Sequence, residues 1–410
     1  SGSEASLRAS ATILLAKDLR SVREVFGGVV MEGMCSGAGN SVKARFELGL
    51  AQDWEALAQT VHALLPDDRP ATTNLIDLEE DNEQEDEREQ EWRKMYGDKS
   101  GSELRADSTI RNVVWGSMDS FVPSQQRGLP RGCREMMWLK LSGAEELKAK
   151  HPAGYAKMLL HPPSSGQPSD ARIVKAESEI DKDLKRTFTE VELQNALAAM
   201  GRRNKGNIEW FTSKLKRVLL AYAKHNKRIG YCQSFNFIGG VCVIVIDKEE
   251  DCFWLLVAIL DNLLPKTYYG NLSGVMLDVQ ALDALLNRNL KPVKDKLELT
   301  HLPLTSFAAQ WFMCAFVNVL SLTSVVRVWD CLFVDGHVVL FRVAMAMLKA
   351  IEGELGLATE IEDAMMALQR ARTLEIETVL QIANGCFGEE VVSRPLLMQL
   401  RNQAIRATNR

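Results

Sequence analysis

Prolines set the tightest limit on how this chain can fold. Pro168 and Pro265 are consecutive prolines, and so are Pro303 and Pro395. Two long stretches therefore lack the residue that removes a backbone donor and breaks a helix. Within the first, Ile208, Phe211, Leu215, Val218 and Tyr222 recur at three- and four-residue steps, which lines them along one helical face. Alternation of the strand kind is scarce, and no repeat of about 30 to 50 residues marks a solenoid. The expectation is an all-α fold, with one multi-helix domain over residues 113–407.

Two further amphipathic patterns open the chain. Leu15, Leu19, Val22 and Phe26, then Leu50, Trp54, Leu57 and Val61, each form a helical stripe, separated by a Gly/Ser-rich stretch over 27–41. A helical hairpin over residues 1–70 is expected, its role unknown. Residues 71–112 read as an acidic flexible linker. Between Asp77 and Glu91 ten carboxylates stand against one cation, Arg88, and such a run is expected to stay solvated. A fragment starting near Ala106 is accordingly expected to fold alone. The net charge of −5 is thus concentrated, and the rest of the chain is about +4. That is too weakly basic for a nucleic-acid footprint.

The apolar run 307–326 has the length of a membrane span. It contains Gln310 and Asn318 and runs into Arg327 and Asp330, so a buried core helix is the expectation. Eight cysteines show no metal-site spacing, and most fall in apolar helical patterns, as expected of reduced thiols in a cytoplasmic protein. Six histidines, His225 and His337 among them, show no pairing for a metal or a catalytic triad.

Four separated blocks carry the chemistry. They are Arg127-Gly128-Leu129-Pro130-Arg131 with Arg134 and Trp138; Ile180-x-x-Asp183-x-x-Arg186-Thr187; Gly230-Tyr231-Cys232-Gln233-Ser234-Phe235-Asn236; and Trp311-Phe312 followed by 327–333 and Gly336. In this order they resemble the TBC-domain Rab GTPase-activating proteins. The resemblance implies an all-α TBC-type domain that activates a Rab-type small GTPase, in its GTP-bound form, in trans. It implies catalytic roles for Arg186 and Gln233 as two fingers, with Asp183 and Tyr231 supporting. No cofactor or metal of the chain's own is implied, since GTP and Mg²⁺ belong to the partner, and the chain is an activator rather than an enzyme. A cytoplasmic protein recruited to a membrane compartment by its Rab, acting in vesicle trafficking and intracellular protein transport, is the corresponding expectation. The alternative is a non-catalytic helical scaffold or effector that binds a Rab without stimulating hydrolysis.

Each residue also has a plainer reading. Arg186 with Asp183 three residues earlier can be a surface ion pair. As a finger, its planar guanidinium matches two oxygens of a phosphate in transit. Gln233 can be an ordinary loop residue. As a finger, its amide accepts from a water while donating elsewhere. The family's usual Gly and Met after this glutamine are Ser234 and Phe235 here, and Ser321 stands where Pro is frequent. Arg131, Arg134, Trp138, Trp311, Arg327, Trp329 and Asp330 read as structure, with Arg327 and Asp330 spaced for an ion pair. Lys224, Lys227 and Arg228 read as a solvated helix end, or as cations that meet acidic parts of the partner.

Overall fold

A computed structural model describes residues 77–116, 128–160, 168–202, 206–269 and 272–408. The expected hairpin over 1–70 lies outside these residues. Twenty α-helices and no strand occur among the described residues, so the chain is all-α. The compact unit runs Asn82–Arg410.

Local chemistry places the helix ends. α1 spans Asp77–Tyr96. Ser100 caps α2 (Gly101–Ala106) in a reciprocal box with Glu103, and Asp107 caps α3 (Ser108–Trp115). α4 (Arg134–Ser142), α5 (Ala144–Lys150) and α6 (Gly154–Leu160) follow. α7 (Pro168–Leu184) leads to α8 (Glu190–Ala199), capped by the Thr189/Glu192 box. Asn207 caps α9 (Ile208–His225), which buries the expected Phe211, Leu215, Val218 and Tyr222. α10 (Phe235–Val245) and α11 (Glu249–Ala258) pack on α9, as does α7. Lys214 of α9 is itself buried, its Nζ donating to the carbonyls of Ile246 (2.9 Å) and Asp247 (2.7 Å) at the end of α10. A π-helical turn, Ile259–Leu263, ends α11.

The apolar run 307–326 is mostly buried but is not one helix. α12 (Ser273–Asn289), α13 (Lys291–Leu299) and α14 (Thr305–Met313) precede a reversal, and α15 is Leu322–Asp335. Ala315 and Phe316 take φ of 45° and 67°, a left-handed conformation rare for residues with a Cβ. Hydrogen bonding makes the break tenable: Phe316 N donates to Trp311 O (3.0 Å), and Trp329 Nε1 to Ala315 O (3.1 Å). Composition alone gives no punctuation at this turn. Ser321, in the position where Pro is frequent, caps α15 through Ser324 N (3.2 Å). No helix of the described residues is long and apolar enough to cross a membrane.

At the centre of the fold lies Asp330, with no exposed surface. Its carboxylate accepts from Trp138 Nε1 (2.9 Å), Arg134 Nε (3.1 Å) and Leu129 N (3.4 Å). Arg327 lies farther from it, at 3.6 Å, and instead pairs with Glu377 at 2.6 Å. The expected Arg327–Asp330 pair is therefore a minor contact. Trp138 packs on Trp329 and Phe333, with ring centroids 5.7 and 5.0 Å apart. Gly128 sits so near Arg327 that a Cβ there would come within 2.8 Å of the guanidinium.

The acidic segment departs from the expected linker. From Asp77 it is helical, and Trp92 and Tyr96 are buried. Glu85 accepts from Arg131 N (2.6 Å) and pairs with buried Arg88 (3.3 Å), whose guanidinium also donates to Gly128 O. Arg93 bridges Glu89 (2.6 Å) and Gly132 O (2.8 Å). Several carboxylates thus anchor the helix instead of repelling it, and the boundary drawn at residue 113 falls too late. Trp92→Ala in the intact chain should cost about 3 to 5 kcal/mol, seen as a lowered thermal midpoint. An unchanged midpoint would return this segment to a linker.

Candidate functional site

Two loops meet beside the C-terminal ends of α7 and α9. The first holds Arg186, in the turn after α7; the second, Tyr231-Cys232-Gln233, leads into α10. Asp183, buried at 4 % exposure, joins them. Its Oδ1 accepts from Arg186 Nε (2.9 Å) and Nη2 (2.6 Å), and its Oδ2 accepts from Tyr231 OH (2.7 Å). Arg186 is itself half exposed, its side chain at 52 %. The guanidinium is therefore held by one edge and presented to solvent by the other. Burial, and next the neighbouring Asp183 carboxylate, push the Tyr231 phenol far above its ordinary pKa, so it remains a donor.

A second tie runs parallel to the first. Thr187 Oγ1 donates to Asp183 O (2.7 Å) and accepts from Asn236 Nδ2 (3.1 Å). Asn236, without exposed surface, accepts at Oδ1 from Ser234 N (3.2 Å). Each side of the buried amide is used, and the chain on either side of Gln233 is fixed. Gly230 (φ 68°) and Ser234 (φ 101°) bracket the three residues Tyr231-Cys232-Gln233 with left-handed turns. A serine in that conformation costs about 1 to 2 kcal/mol relative to glycine. The turn forms all the same, held by the Asn236 amide and by Phe237 N and Ile238 N donating to Ser234 O (both 3.1 Å).

The approach to this loop is braced from below. In the π-helical turn, Asp261 accepts from Tyr222 OH (2.8 Å) and Asn226 Nδ2 (2.9 Å). Asn226 in turn receives Gly230 N at its carbonyl (2.7 Å). Tyr231 packs against Ile173, Ala176 and Ala223, while Phe235 stacks edge-on with Tyr222 and Tyr269 (5.3 and 4.7 Å). Gln233 is half-buried, and among the described residues its carboxamide has no hydrogen-bond partner. Arg186, Asp183 and Tyr231 are thus brought into one network, with Gln233 two residues from its edge.

Sequence reasoning assigned no role to Asn236, Thr187 or Asp261. A lone Asn inside the apolar Phe-Asn-Phe-Ile-Gly-Gly run was the available signal for the first. Nothing in the sequence marks the π turn that aims Asp261. Among the described residues no group of three or more His, Cys, Asp or Glu side chains could hold a metal ion. The described cysteines are all free, with Cys386 exposed, Cys232 half-buried and the rest buried.

The Rab-GTPase-TBC domain matches residues 131–355, more than half of the chain. The chain belongs to the Rab-GTPase-TBC domain family. Among relatives, the human growth hormone-regulated TBC protein 1 is 32 % identical over 239 residues, covering 58 % of this chain and 66 % of that protein. The zebrafish growth hormone-regulated TBC protein 1-A is 33 % identical over 268 residues, 65 % of this chain and 66 % of its own length. The chain thus spans just under two thirds of these relatives. A Chlamydomonas flagellar RabGAP TBC domain superposes with a TM-score of 0.57 at 27 % identity, over 75 % of this chain and 94 % of that structure. The Ypt/Rab-GAP domain of Gyp1p shares the fold, with a TM-score of 0.53 at 17 % identity over 68 % of this chain and 91 % of that one.

Within this TBC domain the two partners of Asp183 differ in burial, and that decides which matters for folding. Tyr231→Phe would leave a buried carboxylate oxygen unpaired and should cost about 1.5 to 3 kcal/mol. Arg186→Ala removes an exposed partner and should cost less than about 1 kcal/mol. Denaturant unfolding of both variants checks the order, and the reverse order would mean that Arg186, not Tyr231, holds the carboxylate.

Proposed function

We propose that this protein accelerates GTP hydrolysis by a Rab-type small GTPase in trans, Arg186 and Gln233 completing the partner's active site. The observation that carries this reading is the shared Asp183 carboxylate. It holds an exposed arginine by two N–H donors on one oxygen while tying that arginine to the glutamine loop through the other. A surface ion pair alone would not need a buried carboxylate with a second, half-buried donor.

The chemistry follows from where charge develops. Phosphoryl transfer spreads negative charge over the γ-phosphate oxygens, and a guanidinium at that point stabilises the transition state more than the ground state. An arginine supplied in this way contributes about 10³ to 10⁵ in rate, or about 4 to 7 kcal/mol at 1.36 kcal/mol per decade. The Gln233 carboxamide has both a donor and an acceptor unengaged, the combination that orients an attacking water. GTP and Mg²⁺ are the partner's, and the TBC domain contributes no nucleotide or metal site. Regulation of a Rab in its GTP-bound state implies a role in vesicle trafficking and intracellular protein transport, at a membrane reached through the Rab.

Arg186→Ala and Arg186→Lys should both lose most of the stimulation while staying folded, because lysine keeps charge but not the fork. Single-turnover hydrolysis across a panel of GTP-loaded Rabs reads this out, and full activity in the lysine variant would sink the arginine assignment. A scaffold that binds without activating would give complexes and no stimulation by the wild type.

The glutamine makes a separate expectation. If Gln233 supplies the water-orienting amide, a Rab lacking its own glutamine should still be stimulated, and Gln233→Ala should abolish that stimulation. Dependence on the Rab's glutamine alone would make Gln233 a loop residue.

A further inference from the structure

Although the chain is net negative, the two finger loops are not. Residues 182–187 and 224–233 carry six cations, Lys182, Lys185, Arg186, Lys224, Lys227 and Arg228, against one carboxylate, Asp183. Lys182, Lys185, Lys227 and Arg228 are exposed, and among the described residues none of the four has an ion pair or hydrogen bond from its side chain. Nearby carboxylates are engaged elsewhere. Asp181 and Glu177 pair with Lys216 (2.7 and 3.2 Å), and Glu179 pairs with Lys175 (3.7 Å). Asp261 is taken by Tyr222 and Asn226.

We propose that these four cations form a docking rim for an acidic surface of the GTPase itself, an inference that rests on the activator reading above. Lys182 lies in the last turn of α7, and Lys185 and Arg186 lie in the turn that directly follows it, so all three gather at one helix end. Lys227 and Arg228 precede Tyr231, whose bond to Asp183 ties their turn to that same end. The rim thus borders both fingers, and whatever surface covers it must be the surface that meets Arg186. A lipid surface seated there would exclude the GTPase from the fingers, so a protein partner is favoured over a membrane. Unpaired like charges gathered on one face act chiefly on encounter: they raise the association rate for an oppositely charged partner and are screened by salt.

The bland explanation is that all four lie at or just past helix C-termini, where cations complement the helix dipole. The two explanations part under charge reversal. The variant is the triple Lys182→Glu, Lys227→Glu, Arg228→Glu in the full chain, with Lys185 left native because it adjoins Arg186. Stimulated hydrolysis and binding to the GTP-loaded GTPase are measured from low to high salt, with thermal unfolding as control. For the wild type, kcat/KM should fall as salt rises. The triple variant should lose about tenfold or more of kcat/KM at low salt, show a flatter salt dependence, and keep its turnover at saturating GTPase. Reversing an acidic residue on the GTPase should restore part of the loss.

An unchanged salt slope in the variant would overturn the rim. So would a lowered thermal midpoint with kcat/KM intact, which would mark helix-end electrostatics. Loss of binding to phosphatidylserine vesicles, with kcat/KM intact, would assign the cations to a membrane instead. Salt-sensitive binding without any stimulation would leave the rim standing and end the activator reading. Absence of binding to every GTPase tested would end both.

Discussion

A carboxylate sealed from water is tolerable only when donors surround it, and Asp330 organises the domain around that requirement. Its close donors come from α4 and from the segment just before it, 192 to 201 residues away in sequence from Asp330 on α15. Removing Arg134 would leave the buried carboxylate without its nearest cation, an expensive state. The arginines and tryptophans that share this site therefore behave as one set. Arg327, excluded from the best positions on Asp330, turns to Glu377 and Val114 O (3.0 Å) and so fastens a later helix and an earlier one. The first and last of the four sequence blocks thus meet at a single buried anion.

The functional face repeats the device at a smaller scale, with one difference. Asp183 is buried like Asp330, but one of its partners is exposed. The amide of Asn236 runs a second tie between the same two loops, so their relative placement does not depend on a partner arriving. Behind them the π-helical turn sets Asp261 beneath the end of α9. π-helical turns of this kind often accompany functional sites, and here the turn supports the residues leading into the glutamine loop.

Much of this was legible beforehand, for a physical reason. Helical periodicity and the long proline-free intervals are local signals, so the all-α class and the buried stripe of α9 follow from them directly. The family resemblance singled out Arg186, Asp183, Tyr231 and Gln233, and the structure brings the first three into one network. The acidic segment was misread because charge counting cannot tell a solvated carboxylate from one that accepts a backbone N–H across the fold, as Glu85 does from Arg131. Trp92 and Tyr96 were the overlooked sign, an aromatic pair at helical spacing directly after the charged run. The break at Ala315 and Phe316 was hidden for the opposite reason. Its stabilising bond comes from Trp329, and no local rule announces a tertiary donor.

The one-sided grip on Arg186 has a consequence for what the arm can still do. A guanidinium carries five N–H donors in a rigid plane. Asp183 engages one at Nε and one at Nη2, so three remain, two of them on Nη1. The arm therefore does not have to let go of the carboxylate in order to reach an incoming oxygen. Its orientation can persist through the encounter, and should it swing away, Tyr231 stays behind to keep Asp183 from standing bare.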